Sequence, residues 1–185
     1  MPINTAYRGA ADCPATIPLF PLAGVLLLPR GHLPLNVFEP RYVAMVDDAL
    51  RGDRIIGIIQ PDPASDEQED APTLCPVGCA GRITQFAETG DGRYVVSLTG
   101  IARFRLVEEE AADTPYRRGK VDYEAFPADF DPRSGEEEVD RKGLIKTLRD
   151  FAEANELKID WKSINAAPNE ALVNALAMMS PFGPR

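Results

Sequence analysis

Four of the five prolines between residues 17 and 50 limit what the first part of this segment can form. Pro18, Pro21, Pro29 and Pro34 interrupt a run of apolar residues. Proline donates no N–H to a strand ladder, so it is restricted to strand ends, edges and bulges. Strands here can therefore be only a few residues long and must bend sharply. We predict three short apolar strands in this stretch, followed by one helix.

The residues after Glu39 change from strand to helix character. Pro40 suits a first helical turn, and Gly52 supplies a stop signal. The apolar residues between them recur at helical spacing and form one broad face: Tyr42, Val43, Met45, Val46, Ala49 and Leu50. The pattern predicts a helix from about Pro40 to Leu50. Glu39 and Arg41 lie at its start, where capping and local ion pairing are typical.

Strand patterns continue as far as residue 126. The closely spaced isoleucines of 54–60 predict a strand that is buried on both faces. Asp91 and Gly92 can adopt the positive backbone angles of a tight hairpin. We predict further strands over 77–88, 93–99, 101–107 and 119–126. Six or more short strands with a single helix are typical of a small, closed or nearly closed β-barrel, because closure removes exposed edges.

The composition changes near Phe126, where a segment rich in proline, acidic residues and glycine is typical of a linker. Apolar residues at helical spacing then predict helices from about Glu137 to Asn155 and from about Pro168 to Met179. Trp161 and Ile164 are expected to pack between them. We predict this organisation: an N-terminal extension over 1–16, a barrel over 17–126, a linker over 127–135 and a helical unit over 136–185.

The segment IPLFPLAGVLLLPRGHLPLNVFEPRYVAMVDDAL at 17–50 resembles the start of the Lon substrate-binding domain, which precedes the motor and peptidase of Lon proteases and also occurs in separate small proteins. RIIGIIQP, LCPVGCAGRITQF, DGRYVVSLTGIARFRLVEE and PYRRGKVDY follow in the family's order and spacing, so the resemblance covers most of 17–125. FEPRY at 38–42 resembles the stand-alone branch of the family. The resemblance implies an α+β fold, with a PUA-like β pseudo-barrel followed by a C-terminal helical unit.

The resemblance implies a protein-binding module without catalytic residues or cofactor. The 185 residues contain no G-x-x-x-x-G-K-[ST] sequence for nucleotide phosphates, and the single histidine, His32, offers one candidate base for a triad. Alternatives are a PUA-like RNA-binding protein, an N-terminal fragment of a full Lon protease, and a small-molecule or metal-dependent enzyme. The expected clients are unfolded or exposed apolar protein segments, and a Lon-type protease is a candidate partner.

Charge argues against nucleic acid as a partner. The formal net charge is −9, whereas phosphate binding requires clustered Lys and Arg. The densest basic group, Arg117, Arg118 and Lys120, is expected to be a solvated strand edge. The alternation of Arg103 and Arg105 with apolar residues predicts a wet strand face with solvated charges. The acidic run at 62–70 is expected to be a solvated loop.

We expect a cytoplasmic protein, because no secretory signal or bilayer-length apolar segment is recognisable. No metal site is expected. Cys13, Cys75, Cys79 and His32 could supply a zinc ligand set, but Cys75 and Cys79 on one strand would lie about 13 Å apart. A turn at 76–78 would be needed to bring them together. Buried thiols are the simpler interpretation.

The binding face for a peptide is not defined by the sequence. Exposed positions in LLLPRGHLPL could form a docking patch, although core packing of the same leucines is favoured. The candidate peptide-binding residues are Arg30, His32, Leu33 and Arg41. The last predicted helix carries an apolar face that is expected to pack on the barrel or on a second copy: Leu172, Val173, Leu176 and Met179.

Overall fold

The computed structural model describes residues 6–65 and 71–179. The described residues form six β-strands, β1 (Thr16–Pro21), β2 (His32–Val37), β3 (Ile55–Pro61), β4 (Leu74–Glu88), β5 (Tyr94–Glu110) and β6 (Arg118–Asp122). The α-helices are α1 (Pro40–Arg51), α2 (Arg141–Ala154), α3 (Trp161–Ala166) and α4 (Asn169–Met179). The chain divides into two compact units, and the boundary between them lies between Asp131 and Pro132. The predicted α+β class is confirmed.

The six strands of the first unit form a sheet that closes on itself. The strand order is β2-β5-β4-β3-β1-β6, and an additional β5–β6 pairing closes the ring. Only the β1–β3 pair is parallel. The long strand β5 makes closure possible, because β2 pairs with its first half and β6 with its second half. The predicted pseudo-barrel is therefore present.

Apolar side chains from all parts of the barrel fill its interior. Phe104 of β5 is fully buried at the centre, and its ring meets Tyr123 edge-on at a centroid distance of 6.4 Å. The predicted α1 is confirmed and buries four residues, Tyr42, Met45, Val46 and Ala49. Its Tyr42 ring packs against Phe20 of β1 at a centroid distance of 4.1 Å. The isoleucines of β3 are buried on both faces, as predicted.

The stretch from 17 to 50 contains two strands rather than the predicted three. The leucines at 26–28 lie in the connection between β1 and β2. Gly24 and Arg30 flank them with positive φ angles of 70° and 62°, which interrupt an extended strand. These leucines therefore form a loop that is held against the sheet.

The predicted hairpin is confirmed, and the predicted positive φ is found at Gly92 but not at Asp91. Gly90 and Gly92 both have φ of 80°, whereas Asp91 does not. The last paired residues are Glu88 and Tyr94, so five residues connect the strands. A loop of this length is not a two-residue turn. The Asp91 carboxylate instead accepts hydrogen bonds from the Thr89 hydroxyl and, at 3.3 Å, from the Arg93 N–H.

The two strands predicted on either side of Gly100 are one continuous strand, β5. Gly100 retains strand geometry because the preceding loop supplies its hydrogen-bond partners. Its N–H donates to the Gly31 carbonyl at 2.9 Å, and its carbonyl accepts from the Arg30 N–H at 2.8 Å. The last strand, β6, ends at Asp122, four residues before the predicted end.

The described residues of the second unit form three α-helices, preceded by a short 3-10 helix, Glu136–Glu138. The predicted helix from Glu137 begins instead at Arg141, because Asp140 acts as its N-cap and accepts the Gly143 N–H at 3.0 Å. Trp161 and Ile164, which were predicted to pack between the two helices, lie on a short helix of their own, α3, and the Arg149 guanidinium of α2 lies 5.1 Å from the centre of the Trp161 ring. Asp160 caps α3 through the N–H groups of Lys162 and Ser163. The helix predicted from Pro168, α4, is confirmed.

Two predicted segments lie wholly or partly outside the residues that the structure describes. The acidic run beyond Ser65 and the segment after Met179 lie outside the described residues. On the apolar face of α4, Leu172 is buried while Val173 is 38% exposed. None of the helices formed by the described residues is both long and apolar enough to cross a bilayer.

Candidate functional site

An apolar cleft lies between the β1–β2 loop and the outer face of the sheet. Its volume is about 210 Å³. The loop residues Val25–Leu28 form one wall. The floor is formed by β3, through Ile58–Gln60, and by β4, through Cys75 and Val77–Cys79. Arg103 of β5 is the one charged side chain in this lining. We refer to this feature as the apolar cleft. An apolar cavity of roughly 150 Å³ holds a benzene molecule, so the apolar cleft is large enough for one aromatic or large aliphatic side chain.

Strand register places the floor residues together. Ile58 pairs with Cys79, and Cys79 pairs with Arg103, so their side chains point to the same side of three adjacent strands. The loop is fixed above them by main-chain contacts. The Leu22 N–H donates to the Ile59 carbonyl at 3.0 Å, and the Gln60 side chain donates to the Val25 carbonyl at 3.2 Å.

The leucines of the loop divide between the core and the apolar cleft. Leu27 is 2% exposed and packs in the core, whereas Leu26 is 38% exposed at the rim. The favoured expectation of core packing therefore holds for Leu27, while Leu26 presents apolar surface to solvent beside a concavity. A concave and mostly apolar lining is typical of ligand-binding sites.

Arg103 and Arg105 are exposed on a wet strand face, as predicted, and Arg103 is in addition fixed by a buried carboxylate, which the sequence did not predict. Asp129 is 6% exposed and accepts three hydrogen bonds from Arg103: from the main-chain N–H at 2.9 Å, from Nε at 2.9 Å and from Nη2 at 2.7 Å. These bonds raise the pKa of the guanidinium. The fork geometry satisfies both carboxylate oxygens. The Asp129 carboxylate thus binds the main chain of β5 in the segment between the residues that pair with β2 and those that pair with β6.

The three thiols differ in their surroundings. Cys75 lies on the wall of the apolar cleft, and its Sγ donates to the Pro61 carbonyl at 3.6 Å. Burial raises the pKa of Cys13 to about 12 and raises the pKa of Cys79 further. Burial also raises the pKa of Cys75, with less of that thiol enclosed. Since the thiolate is the nucleophile, Cys75 is expected to be the most reactive.

We therefore expect one of the three thiols to react fast when the folded protein is treated with an aromatic disulfide reagent at pH 8. With a pKa of about 12, Cys13 is ionised to only about one part in 10⁴ at this pH. Cys75 reacts first, and Cys13 and Cys79 react at least about tenfold more slowly. Unfolding in guanidinium chloride releases all three. Equal rates for Cys75 and Cys79 in the folded protein would contradict this assignment.

A second concavity, the polar groove, lies where α1 and the β5–β6 connection meet the ends of β1 and β3. Its volume is about 620 Å³. Its charged groups are paired within the protein. The Arg117 guanidinium donates two hydrogen bonds to the Glu109 carboxylate, from Nε at 2.6 Å and from Nη2 at 2.5 Å. The Nε of Arg41 donates to the Glu39 carboxylate at 2.9 Å. The polar groove is larger than the apolar cleft, but its charges already have partners.

The basic group at 117–120 is not the solvated edge that the sequence predicted. Strand β6 pairs with both β1 and β5, so it is an interior strand of the closed sheet. Glutamates on β5 neutralise two of the three charges of the group, Glu109 for Arg117 and Glu108 for Lys120 at 3.6 Å. This group therefore offers little uncompensated charge to a phosphate backbone.

The four predicted peptide-binding residues lie in two places. Arg30 lies in the loop, where its Nη1 donates to the Asp129 main-chain carbonyl at 2.5 Å. His32 follows at the start of β2 and shares a 3.1 Å hydrogen bond with the Thr99 hydroxyl, and Leu33 pairs with Leu98. Arg41 lines the polar groove instead, with its guanidinium 4.6 Å from the centre of the Tyr42 ring.

Sequence reasoning missed the residues that line the apolar cleft. Leu26, Cys75 and Arg103 are 77 positions apart at their extremes, and only strand register brings them together. No local signal marked Arg103, because its alternation with apolar residues is the same whether the arginine is solvated or paired. Within residues 6–65 and 71–179, no three His, Cys, Asp or Glu side chains are placed to hold a metal ion.

Comparisons with known proteins agree on one family. A sequence model described as the ATP-dependent protease La (LON) substrate-binding domain matches residues 16–185. Lon protease 2 of Myxococcus xanthus is 34% identical over 111 residues, covering 60% of this chain and 13% of that protein. Lon protease of Anaeromyxobacter dehalogenans is 28% identical over 141 residues, covering 76% and 16% respectively. The chain thus spans about one seventh of the length of these relatives.

One solved structure shows the same fold. The N-terminal domain of the Mycobacterium avium complex Lon protease aligns with a TM-score of 0.59 and 16% sequence identity. The alignment covers 90% of this chain and 84% of that chain. At this identity the likeness supports the architecture of the chain and carries no information on individual site residues.

Proposed function

Because the chain belongs to the Lon substrate-binding domain family, we propose that it recognises exposed apolar segments of other polypeptides, and that the apolar cleft is the site at which it does so. The observation that supports this proposal is a concavity with apolar walls and a 38% exposed leucine, Leu26, at its rim. Such segments are displayed by unfolded proteins and are buried in folded ones.

The size of the apolar cleft limits the affinity. Burial of one large apolar side chain contributes about 1.5 to 3 kcal/mol. Immobilising a flexible client offsets part of the gain from the surrounding contacts, so dissociation constants in the micromolar range are expected. Weak binding at a single site suits a protein that accepts many client sequences. Useful retention of a client then requires several sites acting together.

The clients are proposed to pass to a Lon-type protease. The relatives of this chain carry that name, and the 185 residues bind without cutting in this proposal. The sequence FEPRY at 38–42, which resembles the stand-alone branch of the family, favours a separate protease as the receiving partner. Nucleic acid is disfavoured by the net charge of −9 and by the pairing of Arg117 and Lys120 with glutamates.

A substitution at the rim tests the proposed site. Leu26→Asp places a carboxylate beside apolar walls, where an unpaired charge is unfavourable. We expect the dissociation constant for a reduced, carboxymethylated and therefore unfolded protein to rise at least about tenfold, measured by fluorescence anisotropy. Leu157→Asp is the matched control, because Leu157 is also an exposed leucine, at 49%, and is not part of the apolar cleft.

The control should change the dissociation constant less than about twofold, since surface substitutions away from a site have small effects. Thermal unfolding of both variants shows whether each remains folded. Equal affinity of the Leu26→Asp variant and the unaltered chain would place client binding elsewhere on the molecule.

A further inference from the structure

We propose that Arg103 is a specificity-determining residue of the apolar cleft, and that it donates a hydrogen bond to an uncharged main-chain carbonyl of the client beside the seated apolar side chain. The proposal rests on the function proposed above and goes further, because it names the chemistry that the site selects. The selected client segment has an accessible main chain, as in an extended conformation, and carries no carboxylate next to its apolar anchor.

Arg103 has donors left for a client. A guanidinium has five N–H donors. In Arg103 the Nε and Nη2 atoms bond to Asp129, whereas Nη1 has no hydrogen-bond partner among the residues that the structure describes. The side chain is 44% exposed and lines the apolar cleft. It is therefore the charged side chain that a segment lying in the apolar cleft can reach.

The guanidinium is held in place before any client arrives. The fork to Asp129 fixes its plane, and the Phe126 ring lies 4.6 Å from its central carbon. The Arg30 guanidinium in turn holds the segment that carries Asp129, by donating to the Asp129 carbonyl. A donor fixed in this way loses little conformational entropy on binding, so its hydrogen bond contributes more to affinity than that of a mobile side chain.

Charge explains why the acceptor is uncharged. The Asp129 carboxylate neutralises Arg103 at 2.7 Å, so the pair carries no net charge. Beyond this pair and the adjoining Arg30 guanidinium, the chain as a whole carries a formal net charge of −9, which disfavours the approach of an acidic client. A main-chain carbonyl accepts from Nη1 without this repulsion. Asp129 thus acts as a positioning residue, and a client with an acidic residue beside its anchor is selected against.

The experiment uses the full 185-residue chain and short labelled peptides that share one phenylalanine anchor. Arg103→Lys keeps the positive charge but removes the planar fork, so one ammonium must serve both Asp129 and the client. We expect the dissociation constant for the neutral peptide to rise about tenfold in this variant. Arg105→Lys is the matched control, because Arg105 lies two residues away on the same strand face and does not line the apolar cleft.

Three further measurements on the unaltered chain keep the test independent of variant stability. For the unaltered chain, the neutral peptide should bind with less than about a twofold change between 50 and 500 mM NaCl, because screening acts weakly on an uncharged acceptor. A peptide with aspartate beside the anchor should bind at least about fivefold more weakly at 50 mM NaCl. A thioamide at the carbonyl next to the anchor, whose sulfur is a weaker acceptor, should also weaken binding.

The outcomes separate this inference from the proposed function. If Leu26→Asp weakens binding while Arg103→Lys and the thioamide do not, the apolar cleft binds clients and the role of Arg103 is overturned. Tighter, salt-sensitive binding of the aspartate peptide would also overturn it, in favour of a carboxylate acceptor. If no peptide binds the unaltered chain at high micromolar concentration, the proposed function itself fails.

Discussion

Replacing Gly100 by alanine is expected to destabilise the barrel unit by about 2 to 4 kcal/mol. A Cβ atom at this position would overlap the main-chain oxygen of Leu28 and lie 3.2 Å from the Cα of Pro29. These are backbone atoms, so no side-chain rotation relieves the clash. The loop must move away from β5, which breaks the hydrogen bonds of Gly100 with Arg30 and Gly31. Urea unfolding followed by far-ultraviolet circular dichroism measures the loss.

Gly9→Ala is the control for this substitution. A Cβ atom at Gly9 meets nothing within 4 Å, and its φ of −175° is open to any residue. We expect its free energy of unfolding to change by less than about 0.5 kcal/mol. The same loop carries the wall of the apolar cleft, so Gly100→Ala should also increase the rate of Cys75 modification. Unchanged stability in Gly100→Ala would show that the loop is not packed against β5 as described.

Replacing Arg141 by alanine is expected to destabilise the helical unit by about 2 to 3 kcal/mol. The Arg141 guanidinium joins the end of α3 to the start of α4. Its Nη1 donates to the Ala167 carbonyl and the Asn169 side chain, both at 2.8 Å. Its Nη2 donates to the carbonyls of Ile164 and Asn165, both at 2.9 Å. Alanine leaves these acceptors at a helix end without donors.

Trp161 provides a specific readout for this prediction, because it is the single tryptophan of the chain and lies in α3. The urea midpoint measured by tryptophan fluorescence should fall in Arg141→Ala. Lys142→Ala is the neighbouring control, since Lys142 is an exposed residue of the same helix. Lysine at 141 should recover only part of the lost stability, because one ammonium cannot reproduce the fork. A midpoint unchanged in Arg141→Ala would contradict the role given to this residue.

Elements that depend on local sequence were predictable. The helix α1 has a proline at its first position and a periodic apolar face, and its start was predicted to the residue. The β4–β5 hairpin was also predictable, although the detail of its turn was wrong. The short α3 was missed, because six residues are too few to show helical periodicity.

Features that depend on long-range pairing were not predictable from the sequence. Nothing near Arg103 in the sequence indicates Asp129, 26 residues later, as its partner. A solvated arginine and a paired one have the same strand pattern. Similarly, the composition of β6 resembles an edge strand, and only the additional β5–β6 pairing makes it interior. The apolar cleft was predictable only in part. Its leucine-rich wall is a continuous stretch of the sequence, whereas its floor residues come together only through the register of β3, β4 and β5.

The proposed function requires this chain to distinguish unfolded polypeptides from folded ones. The most direct measurement titrates the 185-residue chain against one labelled protein in its unfolded and folded forms, with a single-stranded RNA in parallel at physiological salt. We expect micromolar binding of the unfolded form, at least about tenfold weaker binding of the folded form, and weaker binding still of RNA. Equal affinity for the two protein forms, or tighter salt-sensitive binding of RNA, would contradict it.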